Sequence, residues 1–188
     1  TVGNPPASAS ALAGWLDRIR TRPAVITTFD AATTAMQGFE MLPGLVEYAD
    51  SPYTAATYLV EQCVRAGFRT IAFTKARKIT ELLGSWIAGS APDLMPRIAS
   101  YRAGYLPAER RAIEQRMAAG DLMGVISTSA LEHGIDIGGL DVCILVGYPG
   151  SITSSWQRAG RVGRSERESL VCLVALPDAL DQYFMRNP

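Results

Sequence analysis

Residues 53–74, which read YTAATYLVEQCVRAGFRTIAFT, decide the fold of this 188-residue chain. The first two thirds of the stretch places apolar residues at helical spacing, namely Ala56, Leu59, Val60, Cys63 and Val64. Gly67 then ends the predicted helix, because glycine readily adopts the left-handed conformation that closes helices. The run Thr70-Ile71-Ala72-Phe73 is short and apolar, as is typical of a strand buried in a parallel sheet.

The same alternation of helix and strand continues to the end of the chain. Helical spacing recurs at residues 79–87, 107–119 and 179–185, and short apolar runs at 97–101, 124–128, 142–146 and 170–176. The helix at 107–119 has Pro107 at its start, Glu109 in its first turn and Gly120 at its end. This order predicts an α/β domain with a mainly parallel central sheet flanked by helices.

The first fifty residues are predicted to be a linker or N-terminal extension, and residues 51–188 the domain itself. Within the extension we predict a helix at residues 9–19 and a strand at 24–29. Residues 36–48 show no clear pattern. Pro5-Pro6 and Leu42-Pro43-Gly44 are turn or linker signals.

Composition limits the kinds of partner. Lys and Arg number 18, as do Asp and Glu, so any nucleic-acid binding must come from a local basic surface. The three cysteines stand singly in apolar runs, which indicates buried reduced thiols rather than a metal site. No apolar run is long enough to span a membrane and no leader opens the sequence, so we expect a cytoplasmic protein.

Polar, basic or glycine-rich segments follow four of the predicted strands. They occupy residues 74–78, 102–104, 129–139 and 147–150. In open α/β sheets, ligands bind beyond the carboxyl ends of the strands. We therefore expect an active edge there rather than four solvated loops.

The most specific segment is residues 156–164, WQRAGRVGR. Gln157, Arg161 and Arg164 are spaced i, i+4 and i+7, so a helix would place all three on one face. Guanidinium groups suit bidentate contacts with phosphate. The alternative is a solvated basic face paired with Glu166 and Glu168, and Arg158, which lies off the shared face, fits that alternative better.

No Gly-x-x-x-x-Gly-Lys-Ser/Thr loop, which would hold the phosphates of ATP, occurs in the chain. The arginine motif is therefore expected to be half of an active site whose other half lies on another domain.

A second polar cluster covers residues 128–137, TSALEHGIDI. The hydroxyls of Thr128 and Ser129 can donate to a phosphate, and Asp136 can accept from a ribose hydroxyl. His133 is the only histidine, and no carboxylate at a suitable spacing would orient it as a general base. We expect it to be a loop or contact residue.

These segments resemble the second RecA-like domain of superfamily 2 helicases. Residues 71–78 resemble helicase motif IV, 128–137 motif V and 157–164 motif VI, in the correct order and spacing. Residues 101–105, 131–141 and 151–157 are also similar to YprA-like DNA-repair helicases. The resemblance implies a three-layer RecA-like fold. Residues 14–50 depart from the family pattern, and residues 1–5 resemble the segment just after motif III, as expected of a fragment cut inside that motif.

The resemblance also implies roles for individual residues. Arg161 and Arg164 would contact the γ-phosphate of ATP, with Arg164 the better arginine finger, and Gln157 would couple nucleotide state to the interdomain cleft. Gly134 and Asp136 would lie near the ribose and phosphates. The backbone of the tracked strand would be contacted by Thr74, Arg77, Arg102 and Thr128. Contacts of this kind read no base sequence.

The function so implied is that of a motor half in an ATP-dependent DNA helicase. It would move 3′ to 5′ on single-stranded DNA, serve DNA repair, and be inactive as an ATPase alone. ATP and Mg²⁺ would be held mainly by the first RecA-like domain. The zinc of the family's cysteine-rich domain is not expected here.

Two alternatives remain open. One is an adaptor that binds nucleic acid but has lost the ATPase. The other is a Rossmann-like nucleotide-binding module, based on Gly134-x-x-x-Gly138-Gly139, although this spacing lacks the Gly-x-Gly-x-x-Gly pattern.

Overall fold

The computed structural model of the chain describes residues 51–131, 139–163 and 169–186, with the backbone alone at 27–28, 40–41 and 186. Near the start, β1 (Thr27–Thr28) and β2 (Glu40–Met41) form a short antiparallel pair. The first lies within the strand predicted at 24–29, whereas the second lies in a segment without a sequence pattern. The helix predicted at 9–19 and both turn signals lie outside the described residues.

A five-stranded parallel sheet forms the centre of the domain. Its strands are β3 (Thr70–Thr74), β4 (Ile98–Tyr101), β5 (Gly124–Ser127), β6 (Val142–Val146) and β7 (Leu170–Val174). They are arranged in the order β4-β5-β3-β6-β7, and each neighbouring pair is parallel. The predicted parallel sheet is confirmed.

Five α-helices are described before, between and after the strands of this sheet. They are α1 (Pro52–Arg65), α2 (Arg77–Ser90), α3 (Pro107–Ala119), α4 (Ile152–Ala159) and α5 (Ala179–Arg186), with 3-10 turns at Pro92–Arg97 and Ser129–Leu131. The ends of α3 follow the sequence signals: Glu109 Oε2 accepts from the Leu106 amide at 2.7 Å, and Gly120 closes the helix at φ +83°.

The sheet has an apolar layer on each face, because alternate residues of a strand point to opposite sides. In β3, Ala72 belongs to the cluster that packs on α1 and α2, with Leu59 and Leu83. Ile71 and Phe73 belong to the opposite cluster, which includes Met117 of α3, Ala159 of α4 and Met185 of α5. Helices therefore cover both faces, which gives the three layers predicted.

The cysteines are part of this core. Cys63, Cys143 and Cys172 are free thiols and all are buried, as predicted. Burial raises the pKa of each of them, for Cys172 to about 12. Because both burial and a raised pKa oppose thiolate formation, we expect these thiols to be unreactive in the folded domain. None of the helices in the described ranges has the length and apolar character needed to cross a membrane.

Candidate functional site

The strand ends define one edge of the sheet, which we call the carboxyl edge. Thr74 pairs with Val146, and Val146 with Val174, while Tyr101 pairs with Ser127. Because these last residues are in register, the segments that follow all five strands emerge on the same side. The edge predicted from the sequence is thus present, and it includes the segment after β7 as well.

After β3, the side chains divide between interior and surface. Thr74 is 1% exposed, and its hydroxyl is 2.7 Å from the hydroxyl of Thr80 and 3.3 Å from the carbonyl oxygen of Ser127. This hydroxyl joins β3 to α2 and β5. Because it is buried, it is not available for the predicted direct contact with a nucleic-acid strand at the surface. Arg77 is exposed on the first turn of α2, where Ala76 supplies no side-chain cap to the helix amides.

After β4, Arg102 is held in a defined position. Its guanidinium forms an ion pair with Glu81 of α2, and its Cζ lies 5.0 Å from the centre of the Tyr105 ring. The side chain remains 35% exposed. A cation fixed in this way between a carboxylate and a ring still has open sides for a phosphate.

After β5, Thr128 is half-buried at the start of the Ser129–Leu131 turn, and its hydroxyl accepts from the Ala130 amide at 3.5 Å. Residues 132–138 lie outside the described ranges. The predicted roles of His133, Gly134 and Asp136 therefore stay predictions.

After β6, the arginine motif does not form the single helix expected. α4 ends at Ala159, and Gly160 lies at the cap. The amides of Arg161 and Val162 then donate to carbonyls three residues back, those of Arg158 and Ala159, both at 3.1 Å. Gly163 adopts φ +76°, which is left-handed. The predicted continuous helix from Gln157 to Arg161 is therefore wrong, and the i, i+4 spacing does not by itself place these two side chains on one face.

The motif also leaves the carboxyl edge. α4 runs back along the sheet from the end of β6, and Val162 forms a parallel bridge with Leu140, which precedes β6. The Gly163 amide donates to the Leu140 carbonyl oxygen at 3.3 Å. Arg161 is thus half-buried near the opposite end of β6, while Gln157 is exposed on α4. Arg164, Glu166 and Glu168 lie outside the described residues.

Arg158 corrects a further expectation. Instead of lying on a solvated basic face it is 6% exposed, with Cζ 5.4 Å from the centre of the Phe73 ring. Its carbonyl oxygen accepts from the Cys143 thiol, with Sγ and O 3.6 Å apart. Arg158 anchors α4 to the sheet: it lies off the Gln157 face, as counted, but that side of the helix packs over Phe73 of β3 rather than facing solvent.

Sequence reasoning gave no role to Lys75 or Asp181, which meet at the carboxyl edge. Asp181, on the first turn of α5, is fully buried, and Lys75 Nζ lies 3.3 Å from its Oδ1. The same ammonium lies 3.0 Å from Oδ2 of the exposed Asp178. Partial burial acts to lower the pKa of Lys75, but the hydrogen bond to Asp178 and the charge of Asp181 outweigh it and raise that pKa. A carboxylate in a predicted helix gave no sign that it would be buried.

Among the described residues, no three of His, Cys, Asp or Glu lie close enough together to hold a metal ion. The described arginines predicted to act at the site lie at two places: Arg77 and Arg102 at the carboxyl edge, and Arg161 toward the far end of β6. We call these the two basic regions.

The chain is similar to known proteins in both sequence and structure. The family of helicase conserved C-terminal domains matches residues 54–166. The chain is 45% identical over 132 residues to the ATP-dependent helicase YprA of Bacillus subtilis, covering 69% of this chain and 18% of that protein. It is 41% identical over 135 residues to the ATP-dependent helicase HRQ1 of Saccharomyces cerevisiae, covering 69% of this chain and 12% of that protein.

The structural comparison agrees. The crystal structure of the DUF1998 helicase MrfA bound to DNA and AMPPNP matches with a TM-score of 0.72 and 42% identity, over 78% of this chain and 21% of that one. The parallel sheet with flanking helices is thus the RecA-like fold of a helicase C-terminal domain, as predicted. The chain spans 12% to 21% of the length of these three proteins.

Proposed function

Because this chain belongs to the family of helicase conserved C-terminal domains, we propose that it is the second motor domain of an ATP-dependent DNA helicase. In this proposal another RecA-like domain of the same protein holds ATP and Mg²⁺. This chain supplies arginine charge to the γ-phosphate of that ATP and contacts to the backbone of single-stranded DNA. The observation that carries the proposal is the separation of the two basic regions, because a helicase motor domain must bind nucleic acid and respond to ATP at different places.

The carboxyl edge is the proposed binding surface for single-stranded DNA. Arg77 is an exposed cation on the first turn of α2, beside helix amides without a side-chain cap. The helix dipole disfavours a cation at this end but favours an anion, so an incoming phosphate would gain from both the amides and the arginine. Arg102 and Thr128 would extend the same row of contacts. The buried hydroxyl of Thr74 would act through the position of α2 instead.

The region around Arg161 is the proposed nucleotide side. Arg161 and Arg164 would reach the γ-phosphate of ATP held by the partner domain, and charge delivered there stabilises the transition state of phosphoryl transfer. Gly134 and Asp136 would lie near the phosphates and ribose. Gln157 would pass the state of the nucleotide to the cleft. Here ATP supplies the free energy and Mg²⁺ neutralises phosphate charge.

Movement from 3′ to 5′ and a role in DNA repair complete the proposal, and both rest on the similarity to YprA-like helicases. The MrfA structure was obtained with DNA and AMPPNP, which supports DNA as the nucleic acid bound and ATP as the nucleotide hydrolysed.

The test uses the full-length protein and measures ATP hydrolysis with and without single-stranded DNA. Arg161→Ala and Arg164→Ala should each lower kcat by about 10³-fold or more while leaving the KM for ATP nearly unchanged. A parallel rise in KM would give the arginines a binding role instead. The isolated chain should hydrolyse no ATP, and robust hydrolysis by it would refute the half-site proposal.

Strand contacts are tested in the same assay. Arg77→Ala should raise the DNA concentration needed for half-maximal stimulation and reduce the salt dependence of binding by about one phosphate contact. The matched control is Arg65→Ala, an exposed arginine at the end of α1 that is paired with Asp93. A full-length protein that binds DNA without hydrolysing ATP would support the adaptor alternative.

A further inference from the structure

A single buried carboxylate ties together three segments of the carboxyl edge. Asp181 accepts from the Tyr148 amide at 3.1 Å to each oxygen, from the Leu176 amide at 2.8 Å, and from Lys75 Nζ at 3.3 Å. These donors follow β6, β7 and β3, respectively. A buried carboxylate is costly unless it is paired and hydrogen-bonded, and this one is satisfied on both oxygens.

Lys75 reaches Asp181 by crossing the end of a strand. β6 lies between β3 and β7 in the sheet, so a side chain that starts after β3 must pass over β6. It does so at Gly147, where a β-carbon would lie 2.7 Å from Lys75 Cε. Gly147 has φ +83°, a conformation that suits glycine. The crossing therefore depends on the missing side chain at this position.

The first turn of α5 is itself firmly held. Asp178 Oδ1 accepts from the Asp181 amide at 2.9 Å, and Asp178 Oδ2 accepts from Lys75 at 3.0 Å. The Tyr148 and Phe184 rings lie 4.5 Å apart. Lys75 is thus fixed by two carboxylates of one turn, and Tyr148 by both its amide and its ring.

The fixed segments lead directly to the two proposed functional regions. Lys75 is followed by Ala76 and Arg77, at the start of α2 on the strand-binding edge. Tyr148 leads through the Ser151 cap into α4, which ends at Ala159, two residues before Arg161. A movement of the segment after β3 or of the segment after β6 would therefore change the hydrogen bonds of the same Asp181 carboxylate.

We propose that Asp181 is a positioning residue that, with Lys75, couples DNA binding at the carboxyl edge to the arginine motif at the end of α4. This inference rests on the proposed function. Asp181 touches neither DNA nor ATP in this scheme. It keeps the segments after β3 and β6 in one arrangement, so that a strand bound beside Arg77 promotes hydrolysis.

The variants that test the proposal are Lys75→Met, Asp181→Asn and the double variant, made in the full-length protein. Methionine keeps the length of Lys75 but not its charge. Asparagine keeps the size of Asp181 but turns an amide toward groups that are all donors. Asp93→Asn, which removes an exposed carboxylate paired with Arg65, is the matched control.

The readouts are the basal ATPase rate, the rate at saturating single-stranded DNA, and the affinity for that DNA. We expect Lys75→Met and Asp181→Asn to reduce stimulation by DNA about tenfold, with basal rate and DNA affinity within about twofold of wild type. The double variant should lose no more than the worse single variant, because both remove one link.

Three results would overturn the proposal: stimulation that survives in both variants, a loss in proportion to DNA affinity, or additive losses in the double variant. If Asp181→Asn fails to fold, the Lys75→Met variant alone tests the proposal, because the Lys75 side chain is 38% exposed and its replacement should leave the fold intact. A wild-type protein that DNA does not stimulate would overturn the proposed function as well, whereas stimulated wild type with unaffected variants would overturn only this inference.

Discussion

Replacing Gly147 by alanine should destabilise the domain through two separable effects. The first is the backbone cost of a left-handed alanine at φ +83°, about 1–2 kcal/mol, of which about 0.4–1 kcal/mol is regained because alanine restricts the unfolded chain. The second is steric. A β-carbon at this position would lie 2.7 Å from Lys75 Cε and 2.8 Å from Leu176 Cδ1.

The steric effect should dominate. Lys75 can move only by giving up its carboxylate partners, and Leu176 is buried beneath the edge, at 8% exposed. Overpacking of this kind costs about 1–3 kcal/mol. Gly120→Ala is the matched control, because Gly120 also has φ +83° but a β-carbon there would meet no atom within 4 Å. Gly147→Ala should therefore lose about 1–3 kcal/mol more than Gly120→Ala.

The assay is urea unfolding of the chain, followed by circular dichroism, with the free energy of unfolding extrapolated to water. Both variants should show the same dependence of free energy on urea, so that the midpoints report stability directly. Equal losses in Gly147→Ala and Gly120→Ala would refute the tight crossing of Lys75 over β6. They would also remove the geometric basis for coupling through Asp181.

Three further predictions concern the interior. Arg158→Ala should lower the free energy of unfolding by about 2–3 kcal/mol, because the stacked guanidinium and its packed stem are lost, whereas the exposed Arg65→Ala should change it far less; similar urea midpoints would contradict the buried anchor. The three cysteines should not react with a thiol reagent in the native protein and should all react in denaturant, so fast native labelling would show that the core is open. Burial, followed by the hydrogen bond to Glu114, raises the pKa of Tyr101 from 10.0 to about 12. The contribution of the protonated Tyr101 to the free energy of unfolding is then fully present below pH 10 and is lost as pH rises through about 12. From pH 9 upward, the free energy of unfolding should therefore depend less steeply on pH in Tyr101→Phe than in the wild type. An unchanged pH dependence would contradict the raised pKa.

Local pattern was enough to predict the sheet. The runs at residues 142–146 and 170–174 are apolar at every position. This pattern is expected of strands that helices cover on both faces, because then both sets of alternate side chains are buried. The helix Pro107–Ala119 was marked by its own end signals. These features depend on neighbours in sequence, so the sequence reveals them.

Features set by distant contacts could not be predicted. The end of α4 at Ala159 depends on the bridge between Val162 and Leu140, which lie 22 positions apart in the sequence. The bridge carries Arg161 away from the carboxyl edge. The burial of Arg158 depends on the packing of α4 over Phe73, which is 85 positions away in the sequence. The burial of Asp181 likewise depends on amides that follow two different strands. Spacing within a motif carries no information on such partners.

The anchoring of α4 at both ends fixes its length. Its start is capped by the Ser151 hydroxyl, which accepts from the Ser154 amide at 3.1 Å, and its exit is bridged to Leu140. One added residue would turn everything after it by about 100° and advance it about 1.5 Å. The bridge and the buried Arg158 could not both survive that rotation. Natural insertions and deletions should therefore avoid residues 151–162, and this segment should diversify by substitution alone.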